Sequence, residues 1–271
     1  MIRKGGRPRL SNLGICIVSI AAVRQIADHK SCMLSQVLFG EEVSILIKKK
    51  GWYKIKCSWD GLVGWIDPKQ FHILREKELS KHNSESKAFA LDHLAGLNSE
   101  NTTFPICIGS NLYDCDGINV KLPFGLFQYH GQIVHLSQSQ NSEKLLINIA
   151  RRYLHSPYLL GGRSLLGVDA AGLIQVIFKM IGLRLPRTPI EQSKIGADIG
   201  FHSQAKIGDL AFFDKGIGQI DKVGLIIGDS NILHVHGKVR IDILDQQGIY
   251  DVKTKQYLSV LRSIRRVSDL N

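Results

Sequence analysis

Near residue 142 the hydrophobic period of this chain changes, and that change fixes the order of its architecture. Upstream, apolar residues alternate in short runs. Val43–Ile47 is followed by a Lys48-Lys49-Lys50-Gly51 turn, and Trp52–Cys57 then places Tyr53, Ile55 and Cys57 on one face with Trp52, Lys54 and Lys56 on the other. Asp60-Gly61 makes a second turn before Val63–Ile66. Downstream, Leu145, Ile149 and Tyr153 recur at helical spacing, with Ser142 as N-cap and Pro157 beyond the end. A second helix starts near Asp169, carries Leu173, Val176, Ile177 and Met180, and stops at Gly182. Strand-like runs follow at 209–214, 220–227, 232–236 and 239–244, with a closing strand over 257–267. Helices first and an antiparallel sheet after predict an α+β domain over residues 142–268.

A chain of 271 residues with 44% apolar content can build two or three cores. Residues 13–75 read as one small β-barrel, and the polar stretch 75–87 as a linker. Residues 84–137 read as a second, more divergent barrel, broken at Asn98-Ser99, Asp116-Gly117 and Gly131. The run Leu13–Val23 is apolar and β-branched, as a buried strand is. With Arg3, Lys4, Arg7 and Arg9 ahead of it, it also has the outline of a signal peptide, but Arg24-Gln25-Ile26 follows where a cleavage site belongs. We read it as a strand and place the chain in the cytoplasm, with secretion or a periplasmic location as the alternative. No other stretch approaches a membrane span.

The formal net charge of +11 favours acidic partners without naming one. No helix-turn-helix, RNA-binding aromatic motif or zinc-finger spacing occurs, so specific nucleic-acid recognition is not expected. The five cysteines, Cys16, Cys32, Cys57, Cys107 and Cys115, include no CxxC pair and are odd in number, which fits neither a complete disulfide framework nor a zinc site.

Within the downstream half a succession of motifs is specific. Tyr158-Leu159-Leu160-Gly161-Gly162-Arg163 leads through Gly167-Val168 to Asp169-Ala170-Ala171-Gly172-Leu173-Ile174-Gln175. Leu185-Pro186-Arg187-Thr188 with Gln192 follows, then Gly208–Phe213, Lys222-Val223-Gly224 and Ile232-Leu233-His234. In order and spacing this resembles the NlpC-type, papain-like peptidase domain of bacterial cell-wall enzymes. The phrases Phe39-Gly40-Glu41, Gly51-Trp52-Tyr53-Lys54 and Gly64-Trp65-Ile66 resemble a bacterial SH3-like barrel. The combination is most similar to γ-D-glutamyl-L-diamino-acid endopeptidases. For the tryptophans, filling the barrel core is the plainer expectation than ligand contact.

The resemblance implies a cysteine opening the second helix, where the dipole favours thiolate, a histidine base before Val-Gly, and a second polar residue orienting it. Here those positions hold Ala170, Lys222 and His234. A methyl group cannot attack a carbonyl, and neither Ser164 nor Thr188 stands at the helix start as a substitute nucleophile. An odd-numbered loop near 228–231 would put Lys222 and His234 on the same face of the sheet. Asp169 is expected either to hold a substrate amine or to cap the helix, with Tyr158, Arg187 and Thr188 as further substrate-binding residues. His234 and His236 lack a third ligand and are read as strand histidines; no cofactor is implied.

The implied partner is a peptidoglycan-derived peptide such as L-Ala-γ-D-Glu-diaminopimelate. Three functions compete: a non-catalytic muropeptide binder, an active hydrolase seen in inactivated form, and a basic interaction module with a vestigial groove. Two losses in one triad favour the first, because an engineered cysteine-to-alanine change would leave Lys222 unexplained.

Overall fold

The structure, a computed structural model, describes residues 10–49, 51–82, 87–139, 142–200, 202–214, 216 and 218–268. The basic residues Arg3, Lys4, Arg7 and Arg9 therefore lie outside the described residues, as do residues 83–86 of the expected linker. The chain forms two compact units that divide after Ile133. Among the described residues no helix is long and apolar enough to cross a membrane.

In the first unit a seven-stranded sheet runs in the order 33–38, 20–24, 63–66, 52–57, 42–49, 10–16, 71–75. Alternation explains its core: Val23, Val37, Val43, Ile45, Ile55, Cys57 and Ile66 point inward and are buried. The expected single run over Leu13–Val23 is two strands, Leu10–Cys16 and Ile20–Arg24. Between them the Ile17 N–H is taken by the Gln70 carbonyl, and the Ser19 carbonyl accepts from Phe39, so the chain turns into a new pairing. The tryptophans correct the core-filling expectation. Trp52 and Trp65 are half-buried and belong to the outer face, because Ile55 and Cys57 on the alternate positions already fill the interior.

Residues 88–133 add further short strands, with Thr103–Cys107, Leu94–Asn98, Gly125–Tyr129 and Asn119–Leu122 forming a four-stranded sheet. Its core of Leu97, Ile106, Val120, Phe127 and Tyr129 also takes in Phe39 from the preceding barrel. The junction is close. The Tyr113 hydroxyl donates to the Gly40 carbonyl at 2.8 Å, and a Cβ on Gly40 would stand 2.6 Å from the Asn111 carbonyl oxygen.

The second unit contains two ten-residue helices, α1 (Glu143–Arg152) and α2 (Ala170–Lys179), the only ones longer than four residues among the described residues. Ser142 caps α1 by accepting from the Leu145 N–H at 3.3 Å. Seven strands follow: a two-residue strand, Ala197–Asp198, that pairs only with the last, and then β1 (Leu210–Asp214), β2 (Lys222–Gly228), β3 (Asn231–His236), β4 (Lys238–Leu244), β5 (Gly248–Asp251) and β6 (Gln256–Arg266). From β1 on, each pairs antiparallel with the next, and β6 returns to pair with β1, which closes a barrel. Inside lie Ala211, Phe213, Ile226, Ile232, Leu244, Ile249 and Ile264. Sequence alternation missed β5, whose four residues carry too short a pattern to stand out. By strand count this unit is mostly β, with the helices packed outside: α2 lies on β2.

Candidate functional site

The start of α2 is held by one carboxylate. Asp169 is the N-cap, with extended backbone, and its side chain is buried. Oδ1 accepts from the Gly172 N–H at 2.7 Å and from Arg187 Nη1 at 2.9 Å. Oδ2 accepts from the Gly161 N–H at 2.8 Å and from Arg187 Nη2 at 2.7 Å. Four donors thus occupy the carboxylate, including a bidentate guanidinium that is itself buried. Asp169 caps the helix, and capture of a substrate amine would require Arg187 to yield.

The same helix turn is packed to backbone contact. A Cβ on Gly172 would lie 2.2 Å from the Gly162 carbonyl oxygen, so only glycine lets the Gly161-Gly162 loop close over the helix. Ala170, half-buried, is the first residue of α2, and Ala171 is buried behind it. The segment carrying Arg187 is pinned from the helix side as well. Gln192 Nε2 donates to the Ala171 carbonyl at 3.1 Å and to the Pro186 carbonyl at 2.8 Å, and Gln175 Nε2 donates to the Leu185 carbonyl at 3.1 Å.

On the barrel, Leu225 pairs with Leu233 and Ile226 with Ile232. Carried to the strand ends, that register puts Lys222, His234 and His236 on one face; the turn itself is the even-numbered Asp229-Ser230, and the bulge between Ile226 and Gly228 supplies the extra residue that the odd-loop expectation had placed in the loop. Lys222 Nζ donates to Ser259 Oγ at 3.3 Å. His234 is fully buried and turned to a partner on β4: its Nε2 lies 2.6 Å from Asp242 Oδ2. Burial pushes the imidazole down to about 4, with the nearby Lys222 charge acting in the same direction and Asp242 opposing. The ring is therefore neutral at pH 7, and Nε2–H donates. Burial alone would push the Asp242 carboxyl up, but hydrogen bonds from His234 and Arg240 leave it below the usual range. Arg240 Nη2 donates to Asp242 Oδ1 at 2.6 Å and reaches Asp251 at 3.1 Å.

Asp242, Arg240, Asp251 and Ser259 were not singled out from sequence. The signal existed: β4 pairs His234 with Arg240 and Ile232 with Asp242, so a hairpin turning at Gly237 brings both charges beside the histidine.

A short segment ties helix and barrel together. The Tyr158 N–H donates to the Gly237 carbonyl at 2.9 Å, the Val168 N–H to the Pro157 carbonyl at 3.0 Å, and the Leu159 N–H to the Val168 carbonyl at 3.1 Å. Residues 157–159 thus bridge the β3–β4 hairpin and the approach to α2. Tyr158 itself is 52% exposed. The Thr188 hydroxyl is engaged locally, donating to Glu191 Oε2 at 2.6 Å while accepting from the Glu191 N–H at 3.3 Å. Ser164 is buried without access to solvent. The arrangement holds the helix start, its loop and the segment carrying Arg187 in place and supplies no nucleophile at the helix start.

Residues 155–261 match the NlpC/P60 family, and residues 23–71 match the bacterial dipeptidyl-peptidase SH3 domain. The γ-D-glutamyl-L-lysine dipeptidyl-peptidase of Bacillus subtilis (strain 168) is 29% identical over 217 residues, covering 74% of this chain and 71% of its own length. The protein of the same name from Bacillus cereus (strain ATCC 10987) is 29% identical over 230 residues, covering 74% of this chain and 66% of its own. The crystal structure of an NlpC/P60 family protein from B. cereus ATCC 10987 superposes with a TM-score of 0.77 at 23% identity, over 94% of this chain and 99% of that one. That likeness establishes the fold.

Proposed function

Since this chain carries an NlpC/P60 domain with a bacterial SH3 domain ahead of it, we propose that it binds peptidoglycan-derived peptides of the γ-D-glutamyl-diamino-acid type and does not cleave them. One observation carries this: Ala170 is the first residue of α2, where the resembled peptidases place their cysteine. Covalent catalysis there needs a thiolate and a base that can give back its proton. The chain offers a methyl group, and Lys222 in place of an imidazole. His234 is spent on Asp242.

What supports binding is the upkeep of the scaffold around the missing chemistry. The Asp169–Arg187 pair, the Gly172 contact and the Gln192 bonds all keep the helix start, its loop and the following segment in one arrangement. Exposed Tyr158 flanks it, and Lys222 supplies a fixed cation for the carboxylates of D-Glu or the diamino acid. The vestigial-groove alternative draws on the mutual neutralisation of Asp169 and Arg187, which leaves little unshared charge for a substrate amine.

Calorimetric titration of L-Ala-γ-D-Glu-diaminopimelate into the protein at low salt separates the two. Binding with a Kd on the order of micromolar to millimolar, about 4–8 kcal/mol, is expected. If Asp169 meets the peptide amine, Asp169→Asn weakens the free-amine peptide more than its N-acetylated form; equal effects assign Asp169 to the helix cap alone. Absence of heat and of competition would leave the groove vestigial.

A further inference from the structure

We propose that a cleft in the first unit, between the turn at residues 76–82 and residues 113–123, binds a small acidic amino acid or dipeptide with a free amine. The cleft has a volume of about 520 Å³, within the roughly 300–1,000 Å³ common for small-molecule sites. It lies outside residues 23–71, the part of this unit that matches the SH3 family.

One wall is the four-residue helix Glu76–Leu79 and the turn after it. The Ser80 N–H donates to the Glu76 carbonyl at 3.2 Å and the Lys81 N–H to the Glu78 carbonyl at 3.1 Å. Helical geometry therefore runs on, and Lys77 and Lys81 stand one turn apart on the same side. Glu78 anchors this wall: its carboxylate accepts from the Arg75 N–H at 2.7 Å and from Arg75 Nε at 2.9 Å, and lies 3.1 Å from His72 Nε2. On the other wall the Lys121 N–H donates to the Tyr113 carbonyl at 3.0 Å, which sets Asp114 beside Lys121. The floor is held from beneath. The rings of His82 and Tyr113 meet edge to face at 4.9 Å, and both reach Glu42 Oε1, His82 Nε2 at 2.6 Å and the Tyr113 hydroxyl at 3.1 Å. Leu122, buried, and Pro123 add an apolar strip.

Charge decides the occupant. Arg75 and Glu78 neutralise each other. The side chains of Lys77, Lys81 and Lys121 have no hydrogen-bond or ion-pair partner among the described residues, and neither do the carboxylates of Glu76 and Asp114. Three ammonium groups against two carboxylates call for a ligand of the opposite count, with one more carboxylate than ammonium. Phosphate would satisfy the lysines but leave Glu76 and Asp114 facing another anion. An acidic dipeptide puts carboxylates on the lysines of both walls and its amine on Asp114. Lys77 and Lys81 repel each other, and one carboxylate held between them relieves that.

Calorimetric titration of glycyl-glutamate into the full chain at low salt tests this. Saturable heat is expected, and weaker binding of glycyl-lysine. Lys81→Glu and Lys121→Glu, both at exposed positions and checked for folding by thermal unfolding, should each weaken glycyl-glutamate by about tenfold or more, since each reversal replaces a charge-assisted bond by repulsion. Asp114→Asn should weaken it more than the N-acetylated dipeptide; equal loss for both overturns the amine contact. No saturable heat, or binding by both lysine variants equal to that of the unmodified chain, overturns the proposal. Binding that responds to Asp169→Asn and to neither lysine change overturns it as well, because the heat then belongs to the second unit. Tighter binding of inorganic phosphate than of the dipeptide overturns it too and assigns the cleft to phosphate.

Discussion

Replacing the Ala170 methyl by a thiol would put an ionisable sulfur at the first residue of α2, where the helix dipole favours thiolate. Ala170→Cys should therefore alkylate readily with iodoacetamide yet hydrolyse no γ-D-Glu-diaminopimelate bond, because an ammonium cannot act as the imidazole does. Adding Lys222→His should bring measurable turnover; a single variant as active as the double would mean that Lys222 is not at the base position. His234 gives a second residue-level test. Its folded pKa of about 4 lies below the ordinary 6.5, so the unfolded chain takes up a proton through that window that the folded chain refuses. Stability is full above about pH 6.5 and falls as pH drops towards 4, by up to about 3 kcal/mol at roughly 1.4 kcal/mol per pKa unit. His234→Gln should flatten the urea-unfolding free energy over that range, and an unchanged slope would assign the loss to other groups.

At the scale of elements, α2 and the loop before it act as one piece. Arg187→Met leaves Asp169 buried with two donors instead of four, and loss of one partner of a buried pair costs about 3–5 kcal/mol. Arg187→Met with Asp169→Asn should cost clearly less than the two single changes added, as read from urea unfolding; strict additivity would deny the coupling. This part of the molecule was well marked in sequence. Ser142, Leu173, Val176, Ile177 and Gly182 give caps, a face and a stop; both helices start within a residue of expectation, and they end at Arg152 and Lys179, short of Pro157 and Gly182. The Asp169–Arg187 pairing was hidden, because a contact across 18 positions is set by how the loop at Gly161-Gly162 folds back, and no periodicity records that. Trp52 and Trp65 misled for a different reason: their bulk suggested a core role, although alternation already set Trp52 with Lys54 and Lys56, opposite Ile55 and Cys57.

Across the whole molecule, the order of barrel-like strands, helices and a closing sheet could be read from the change of hydrophobic period. Closure of the second sheet through the return of β6 to β1 could not, since it depends on pairing over about 50 residues of separation. The net charge of +11 acts at this scale. Muropeptide affinity should fall several-fold between about 0.01 and 0.1 M salt, as the Debye length shortens from about 30 to about 10 Å, and calorimetry at the two salts checks it. A salt-independent Kd would remove long-range charge from the account. The most direct test of binding without cleavage is mass spectrometry of L-Ala-γ-D-Glu-diaminopimelate recovered after prolonged incubation with saturating protein. The peptide should come back intact, at the level of a buffer blank; release of L-Ala-D-Glu in proportion to protein concentration would contradict the account.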